Sequence, residues 1–321
     1  HVHIKRELDE EQLEILEDRL DPEVELTFGA DPPTPADYRI LVAGRPGREL
    51  IEASRCLDVL IIPWAGIPVN TRKLMLEFPQ IAVHNIHHNA ACTAEMALAL
   101  MFAAAKSLVP MDQALRRGDW RYRTRMEMSL LLESKTALIL GYGEIGQRVG
   151  RVLDALGMRV LAIRRNPGTD DAGIPVHPPE ALHDLLPQAD VLFLTLPLTE
   201  QTRGLIGAAE LDLLPQGAIL VNVGRGPIVD QGALYHALES GKLHGAGLDV
   251  WYNYPPDDES KSHTLPADFP FHQLDNVVMS PHRGGHTKET GSLRMIHLAE
   301  SLNAAARGEP IPNAVDLQAG Y

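Results

Sequence analysis

Positive charge is scarce in this chain. Twenty-nine lysines and arginines face 43 aspartates and glutamates, for a net charge of −14 at pH 7. Such a balance repels phosphate-rich partners, so no nucleic acid is expected. The arginine-rich RRGDWRYRTR, residues 116–125, reads as a solvated linker. Cysteine is nearly absent, and Cys56 and Cys92 share no metal or redox spacing, which points to a reducing, cytoplasmic compartment. Long apolar runs are missing too. The most apolar stretch, Ala94 to Ala105, contains Glu95 and is too short to span a bilayer. The polar N-terminus does not read as a signal peptide, so no membrane is expected. His1 is no translational start, which implies that the first residue or residues are missing or trimmed. His84, His87 and His88 cluster without an acidic or cysteine partner nearby, so no metal site is expected and a pocket wall or plain exposure is the reading. Nothing near Cys92 marks an activated thiolate, and no repeat or low-complexity tract is present.

What is present is patterned. A chain of 321 residues suggests two domains, and 45% apolar content is ordinary for a globular protein. The organising stretch is Thr136 to Gly146, TALILGYGEIG, where a buried-strand run breaks at Gly141-Tyr-Gly143-Glu-Ile-Gly146 into a helical pattern from Ile145 to Leu156, ended by Gly157. Strand, glycine turn and helix in that order form a dinucleotide-binding turn. The first glycine permits the turn, the second lets a pyrophosphate approach and the third packs helix on strand. The helix N-terminus supplies amide donors and dipole.

Before that turn, strands are expected at 2–4, 24–27, 38–42, 58–62 and 81–85, with Asp9 and Gln12 as a capping box for a helix running to about Leu20. Residues 89–105 form a helix with almost no polar face, which implies cover on all sides, between domains or in a subunit interface. Pro110 is expected to break it. After the turn, strands at 159–163, 191–196, 218–223, 247–251 and 276–279 alternate with helices near 179–186 and 230–239. The expectation is α/β, two Rossmann-like or flavodoxin-like doubly wound domains with an interdomain cleft. The helical pattern 290–307 returns to the first, so residues 1–106 with 287–321 make a discontinuous substrate-binding domain and 107–286 the dinucleotide-binding domain.

Six landmarks in order, AGI with TAEMALAL, then GYGEIG, LPLTEQTRGLI, VNVGRGPIVD, GAGLDVW and SPHRGGHT, resemble the NAD(P)-dependent D-isomer-specific 2-hydroxyacid dehydrogenases over nearly the whole chain. The resemblance implies hydride transfer between a nicotinamide cofactor and a small 2-oxoacid, with a homodimer as the assembly. It places the catalytic arginine at Arg225, whose forked donors hold a carboxylate and polarise a carbonyl, and the acid/base histidine at His282. The cofactor contacts it implies are Gly141, Gly143, Glu144, Ile145 and Gly146 at the pyrophosphate, Leu196, Pro197 and Thr202 near the adenosine, Val223, Gly224 and Gly284 near the nicotinamide, and Asp249 on the carboxamide. Trp64, Ala65 and Gly66 would offer main-chain amides to the substrate carboxylate.

Two departures carry information. NAD-binding members place an acidic residue at the end of the second strand, and here Arg164, eighteen residues past Gly146, is followed by Arg165. Arginine pairs a 2′-phosphate, so NADP is expected, with NAD possible. Family hydroxyacid dehydrogenases also have a glutamate before the proline of GAGLDVWYNYPP, and this chain has Tyr254. Tyrosine can orient an imidazole without contributing charge at neutral pH. The histidine pKa should then fall by roughly 1 to 3 units, favouring reduction in acid. Asp257, Asp258 or Glu259 could substitute. The missing glutamate leaves a formate-dehydrogenase-like activity open, and a nucleotide-sensing, corepressor-like binding protein is the reading from another class.

Overall fold

Short apolar runs become parallel strands here because helices and loops cover both faces of each sheet. The computed structural model describes residues 1–170 and 172–321, which divide into two units, 1–89 with 286–321 and 90–285.

In the first unit, β1 (Val2–Ile4), α1 (Glu10–Glu17), β2 (Leu26–Phe28), β3 (Ile40–Val42), α2 (Arg48–Ala53), β4 (Val59–Ile62), α3 (Val69–Met75) and β5 (Ala82–Asn85) follow in order. The sheet runs β2-β1-β3-β4-β5, every pair parallel, a flavodoxin-like order. Half of the expected capping box forms. Asp9 accepts from the Gln12 amide at 2.8 Å, but the Gln12 side chain accepts from Arg6 instead of returning to Asp9, and the helix stops at Glu17.

The second unit opens with α4 (Ala90–Ala105) and α5 (Leu108–Arg116). Then come β6 (Thr136–Leu140), α6 (Glu144–Ala155), β7 (Arg159–Ile163), β8 (Gly168–Thr169), β9 (Pro175–His177), α7 (Leu182–Leu185), β10 (Val191–Leu194), α8 (Ala208–Leu213), β11 (Ala218–Asn222), α9 (Gln231–Glu239), β12 (Leu243–Leu248) and β13 (Val277–Met279). The sheet order is β13-β12-β11-β10-β6-β7-β9-β8, parallel except for β8 against β9. Strand alternation sends Leu138 and Leu140 into one core and Ala137 and Ile139 into another, one on each face. Finally α10 (Thr290–Ala306) lies in the first unit against α1, where Met295, Leu298 and Leu302 join Val2, Ile4 and Ile61.

Several expectations shift. Helix α4 is apolar all round because it packs inside the second unit, on α6 and on β11 and β12. Gly247 permits this, since a Cβ there would sit 2.7 Å from that of Leu100. Residues 90–105 therefore lie on the other side of the division from the one the 1–106 boundary gives them. The helix breaks not at Pro110 but at Ser107, whose φ is +47°. Pro110 sits in the first turn of α5, where its missing N–H costs nothing. Strand β12 ends at Leu248, leaving Asp249 to Trp251 in a loop. The short β8 and β9 follow from a turn at Asp170 that the periodicity did not announce. Among the described residues no single helix is long and apolar enough to cross a membrane, and α4 and α5 are bent by 67°.

Candidate active site

In the second unit the strand order reverses between β6 and β10, and open α/β sheets bind ligands beyond the strand ends at such a point. Gly141 stands there with φ +94°. A Cβ on it would lie 2.9 Å from the Leu196 amide nitrogen. Its own amide and that of Tyr142 donate to the Ile163 carbonyl at 3.0 and 3.3 Å, tying the turn to the end of β7. A Cβ on Gly146 would meet the Gly141 carbonyl at 2.4 Å, so only glycine lets α6 lie this close to its strand. A Cβ on Gly143 would meet nothing within 4 Å, and no side chain caps the start of α6. That open space beside uncapped amides fits a pyrophosphate.

Arg164 and Arg165 follow β7 directly. Arg164 is half-buried, with its Nε donating to the Asn166 carbonyl at 3.0 Å, while Arg165 is exposed. Their loop is anchored by Tyr142, a residue that pattern reading passed over. Its buried hydroxyl donates to Asp170 at 2.6 Å, and Asp170 also accepts from the Ile174 amide. Burial and that carboxylate push the Tyr142 pKa well up, so the phenol stays protonated. Farther along, Thr202 donates to the Pro197 carbonyl at 2.7 Å and so shapes its own loop after β10.

The candidate catalytic residues stand on loops at the same carboxyl edge. At the end of β11, Asn222 accepts from the Gly224 amide and donates to the Arg225 carbonyl, both at 3.0 Å, closing the turn through Val223 and Gly224. The guanidinium of Arg225 gives one N–H to the Gly224 carbonyl at 2.7 Å. Four of its five donors remain for a ligand. A Cβ on Gly226 would lie 2.3 Å from the Trp251 carbonyl, so the arginine loop rests against the loop after β12.

That loop positions the histidine. Asp249, 1% exposed, accepts from Ser280 Oγ at 2.6 Å and from the Arg283 and Gly284 amides at 2.8 Å each. The Trp251 indole donates to the Ser280 carbonyl at 2.8 Å. These bonds hold His282 at a left-handed φ of +58°, a conformation uncommon for any residue but glycine. Its Nδ1 lies 2.9 Å from the Tyr254 hydroxyl, which accepts from the Trp251 amide at 3.2 Å. With that amide on its lone pair, the phenol proton is assigned to Nδ1, and the neutral ring then carries its proton on Nε2. Desolvation raises the Tyr254 pKa, so the partner is uncharged over the physiological range. The neighbouring acids are engaged elsewhere, Asp257 with the Ser260 amide and Asp258 with Lys261. Asn222, Trp251 and Ser280 lie within the motifs, but their positioning roles were not read there, because the Trp251 and Ser280 bonds join loops about 30 positions apart.

The first unit holds the other expected residues. The Trp64 amide donates to the Ile62 carbonyl at 2.8 Å and is thus occupied. The Ala65 carbonyl accepts from Asn85 at 2.6 Å, which fixes the loop, and the amides of Ala65 and Gly66 take no partner among the described residues.

Residues 98–284 match the family model described as the D-isomer specific 2-hydroxyacid dehydrogenase NAD binding domain. The chain belongs to this family. A glyoxylate reductase of Korarchaeum cryptofilum is 39% identical over 229 residues, 70% of this chain and 65% of that protein. Another from Aeropyrum pernix is 40% identical, over 70% of this chain and 66% of its own. The chain thus spans slightly less than two thirds of the length of these relatives. In fold it is similar to a D-isomer specific 2-hydroxyacid dehydrogenase from Xanthobacter autotrophicus, solved with NADPH and MES, with a TM-score of 0.79 at 24% identity over 100% of this chain and 99% of that one. The 2-hydroxyacid dehydrogenase family thus accounts for both the glycine turn and the loops at the sheet's carboxyl edge.

Proposed function

We propose that the protein is an oxidoreductase that reduces a small 2-oxoacid to the D-2-hydroxyacid with NADPH. The observation that carries this reading is the Tyr254–His282 hydrogen bond of 2.9 Å at the same sheet edge as the glycine turn. NADPH, when bound, supplies a hydride to the substrate carbonyl carbon. Glu144, Ile145 and Gly146 would hold its pyrophosphate by their amides, and Arg164 with Arg165 its 2′-phosphate. The NADPH-bound Xanthobacter neighbour supports that cofactor, with NAD as the weaker alternative. Among the described residues Oδ2 of Asp249 accepts only the Gly284 amide, which leaves it a lone pair for a carboxamide N–H.

On this reading Arg225 anchors the substrate carboxylate and polarises the carbonyl. His282, protonated on both ring nitrogens, gives the Nε2 proton to the carbonyl oxygen, the Tyr254 hydroxyl accepting from Nδ1–H both in the imidazolium and in the neutral ring left after transfer, and donating to Nδ1 only in the tautomer with its proton on Nε2. A hydroxyl can switch roles in this way where a carboxylate cannot. A neutral partner does not stabilise the imidazolium, so reduction is fastest in mild acid.

The test is NADPH oxidation over a panel of 2-oxoacids, with NADP+ reduction by formate as the contrasting assay, across pH 5–9. Reduction of an oxoacid, lowered about 10²–10⁴-fold in kcat by His282→Ala, is expected. Tyr254→Glu should move the alkaline limb up by about 1 to 3 pH units. Cofactor binding without turnover would make the protein a nucleotide sensor instead.

Two further readings accompany this one. Exposed apolar side chains gather within residues 108–131, with Met126 at 87% and Trp120 at 66%, and on a chain so charged they support a homodimer. Sedimentation of wild type against Trp120→Glu tests this. Cys56 and Cys92 form no disulfide, which supports a reducing, cytoplasmic setting.

A further inference from the structure

The two arginines that follow β7 open a closed hairpin of the second unit. The Arg164 amide donates to the His177 carbonyl at 3.0 Å, and Gly168 and Thr169 of β8 pair antiparallel with Val176 and Pro175 of β9. Asp170 folds the tip back on itself. Its amide donates to the Ile174 carbonyl at 3.2 Å, its carbonyl accepts from the Gly173 amide at 3.0 Å, and its Oδ1 accepts from the Ala172 and Ile174 amides at 3.1 and 2.8 Å. These bonds shape the tip without attaching it to anything else. The base of the hairpin is held by β9 beside β7, and the tip by the Ile174 side chain in the core and by Tyr142.

Tyr142 belongs to the glycine turn and touches the arginine hairpin at both ends. Its amide donates to the Ile163 carbonyl, just before Arg164, and its hydroxyl donates to Asp170 Oδ2 at 2.6 Å. The phenol can lie along α6 because residue 150 is glycine, where a Cβ would fall 2.8 Å from the phenol oxygen and 3.3 Å from Ile174 Cδ1. The same bond decides what Asp170 does. Burial opposes its charge, but the phenol and the two amides hold its pKa below the usual carboxylate value, so it stays ionised. A free carboxylate so near Arg164 and Arg165 in sequence would compete with a phosphate for their guanidinium groups. The phenol occupies Oδ2 instead, as a donor that brings no charge of its own.

We infer that the Tyr142–Asp170 bond helps to set the choice of cofactor: by holding the hairpin tip and engaging its carboxylate, it positions Arg164 and Arg165 for the 2′-phosphate of NADP. This rests on the reading of those arginines given above. Tyr142 acts through the hairpin and is a positioning residue. A loop ordered in advance removes an entropic cost from the complex that needs it. NAD has no 2′-phosphate to offer the arginines, so it gains nothing from that order.

Calorimetric titration of the full cofactor-free chain with NADP+ and with NAD+ reads the choice without turnover. Wild type is expected to bind NADP+ more tightly. Tyr142→Phe keeps the ring in the core and removes only the hydroxyl, so the fold is retained. It should weaken NADP+ about tenfold while NAD+ changes by less than about twofold. Asp170→Asn keeps an acceptor for the phenol and should lose less of the preference than Asp170→Ala. Tyr142→Phe combined with Asp170→Ala should be no worse than the poorer single variant, since both remove one bond. A general loosening of the protein would weaken both dinucleotides together, so equal losses in Tyr142→Phe overturn the proposal, as does a ratio unchanged from wild type. Arg164→Ala with Arg165→Ala is the control. If wild type shows no preference, or this control leaves NADP+ binding unchanged, the parent reading fails and the proposal with it. If the control loses the preference while Tyr142→Phe keeps it, the proposal alone fails.

Discussion

The two sheets carry different material at the same kind of edge. Around Gly141 to Gly146 the second unit uses backbone, with amides at the start of α6, a carbonyl 2.4 Å from where a Gly146 Cβ would lie, and empty space over Gly143. The first unit uses side chains. Lys5, Arg6, Arg45 and Arg294 stand among the residues around a mainly apolar cavity, and Nε2 of the buried His88 accepts from Arg294 Nε at 3.4 Å, the imidazole kept neutral by burial and then by Arg294. A backbone site is rigid, indifferent to pH and intolerant of added carbon. A side-chain cluster tolerates substitution geometrically but responds to charge and protons.

The largest test of this contrast is Gly146→Val. Its Cβ must displace backbone rather than a flexible side chain, and a loss of 3 kcal/mol or roughly more is expected in urea unfolding. A loss under about 1 kcal/mol would mean that the turn is softer than argued. Next is His88. With its pKa near 4 in the folded chain against 6.5 unfolded, the unfolded state binds more protons between these values. Stability from this group is therefore intact above about pH 6.5 and falls away as the pH drops towards 4, by about 3 kcal/mol. His88→Gln, which keeps an acceptor for Arg294, should flatten that part of the pH profile. An unchanged slope would show that other groups carry it.

Smaller effects separate binding from stability. Gly143→Ala places its methyl in open space, so the melting temperature should hold while NADPH affinity falls about tenfold, because the methyl occupies room the pyrophosphate needs. A melting temperature that fell with affinity would assign Gly143 to folding. Removing both arginines after β7 as Arg164→Ala with Arg165→Ala should reduce the NADPH-to-NADH ratio of kcat/KM by about tenfold, with NADH itself little affected. Equal losses for both cofactors would mean that this loop does not read the 2′-phosphate.

Legibility followed the same division. The strands of the second unit other than β8 and β9 were readable within a few residues because each is an apolar run covered on both faces, and the glycine turn was readable because its requirements are steric and fall within six consecutive positions. The ends of elements were less so. Ser107 breaks the helix ahead of the proline expected to do so, since a proline in a first turn offends nothing. The apolarity of α4 was visible, but its cause, glycines of β12 that admit the helix to the sheet, needed the packing. Arg225, His282 and Tyr254 were found through motifs, whereas Asn222, Tyr142 and Trp251 stand inside the same motifs but show their part in fixing loops only through hydrogen bonds to residues elsewhere.

Sequence alone determined the alternation of strands and helices, the dinucleotide turn and the pair of arginines after β7, because each depends on neighbours a few positions away. Only the tertiary structure decided that Tyr254 meets the His282 imidazole across 28 positions, that Asp249 clamps the loop 31 to 35 positions on, and that Tyr142 ties the glycine turn to the hairpin of the two arginines. Charge and hydrogen bonding act through space, and spacing along the chain carries no record of which distant loops the sheet will bring to one edge.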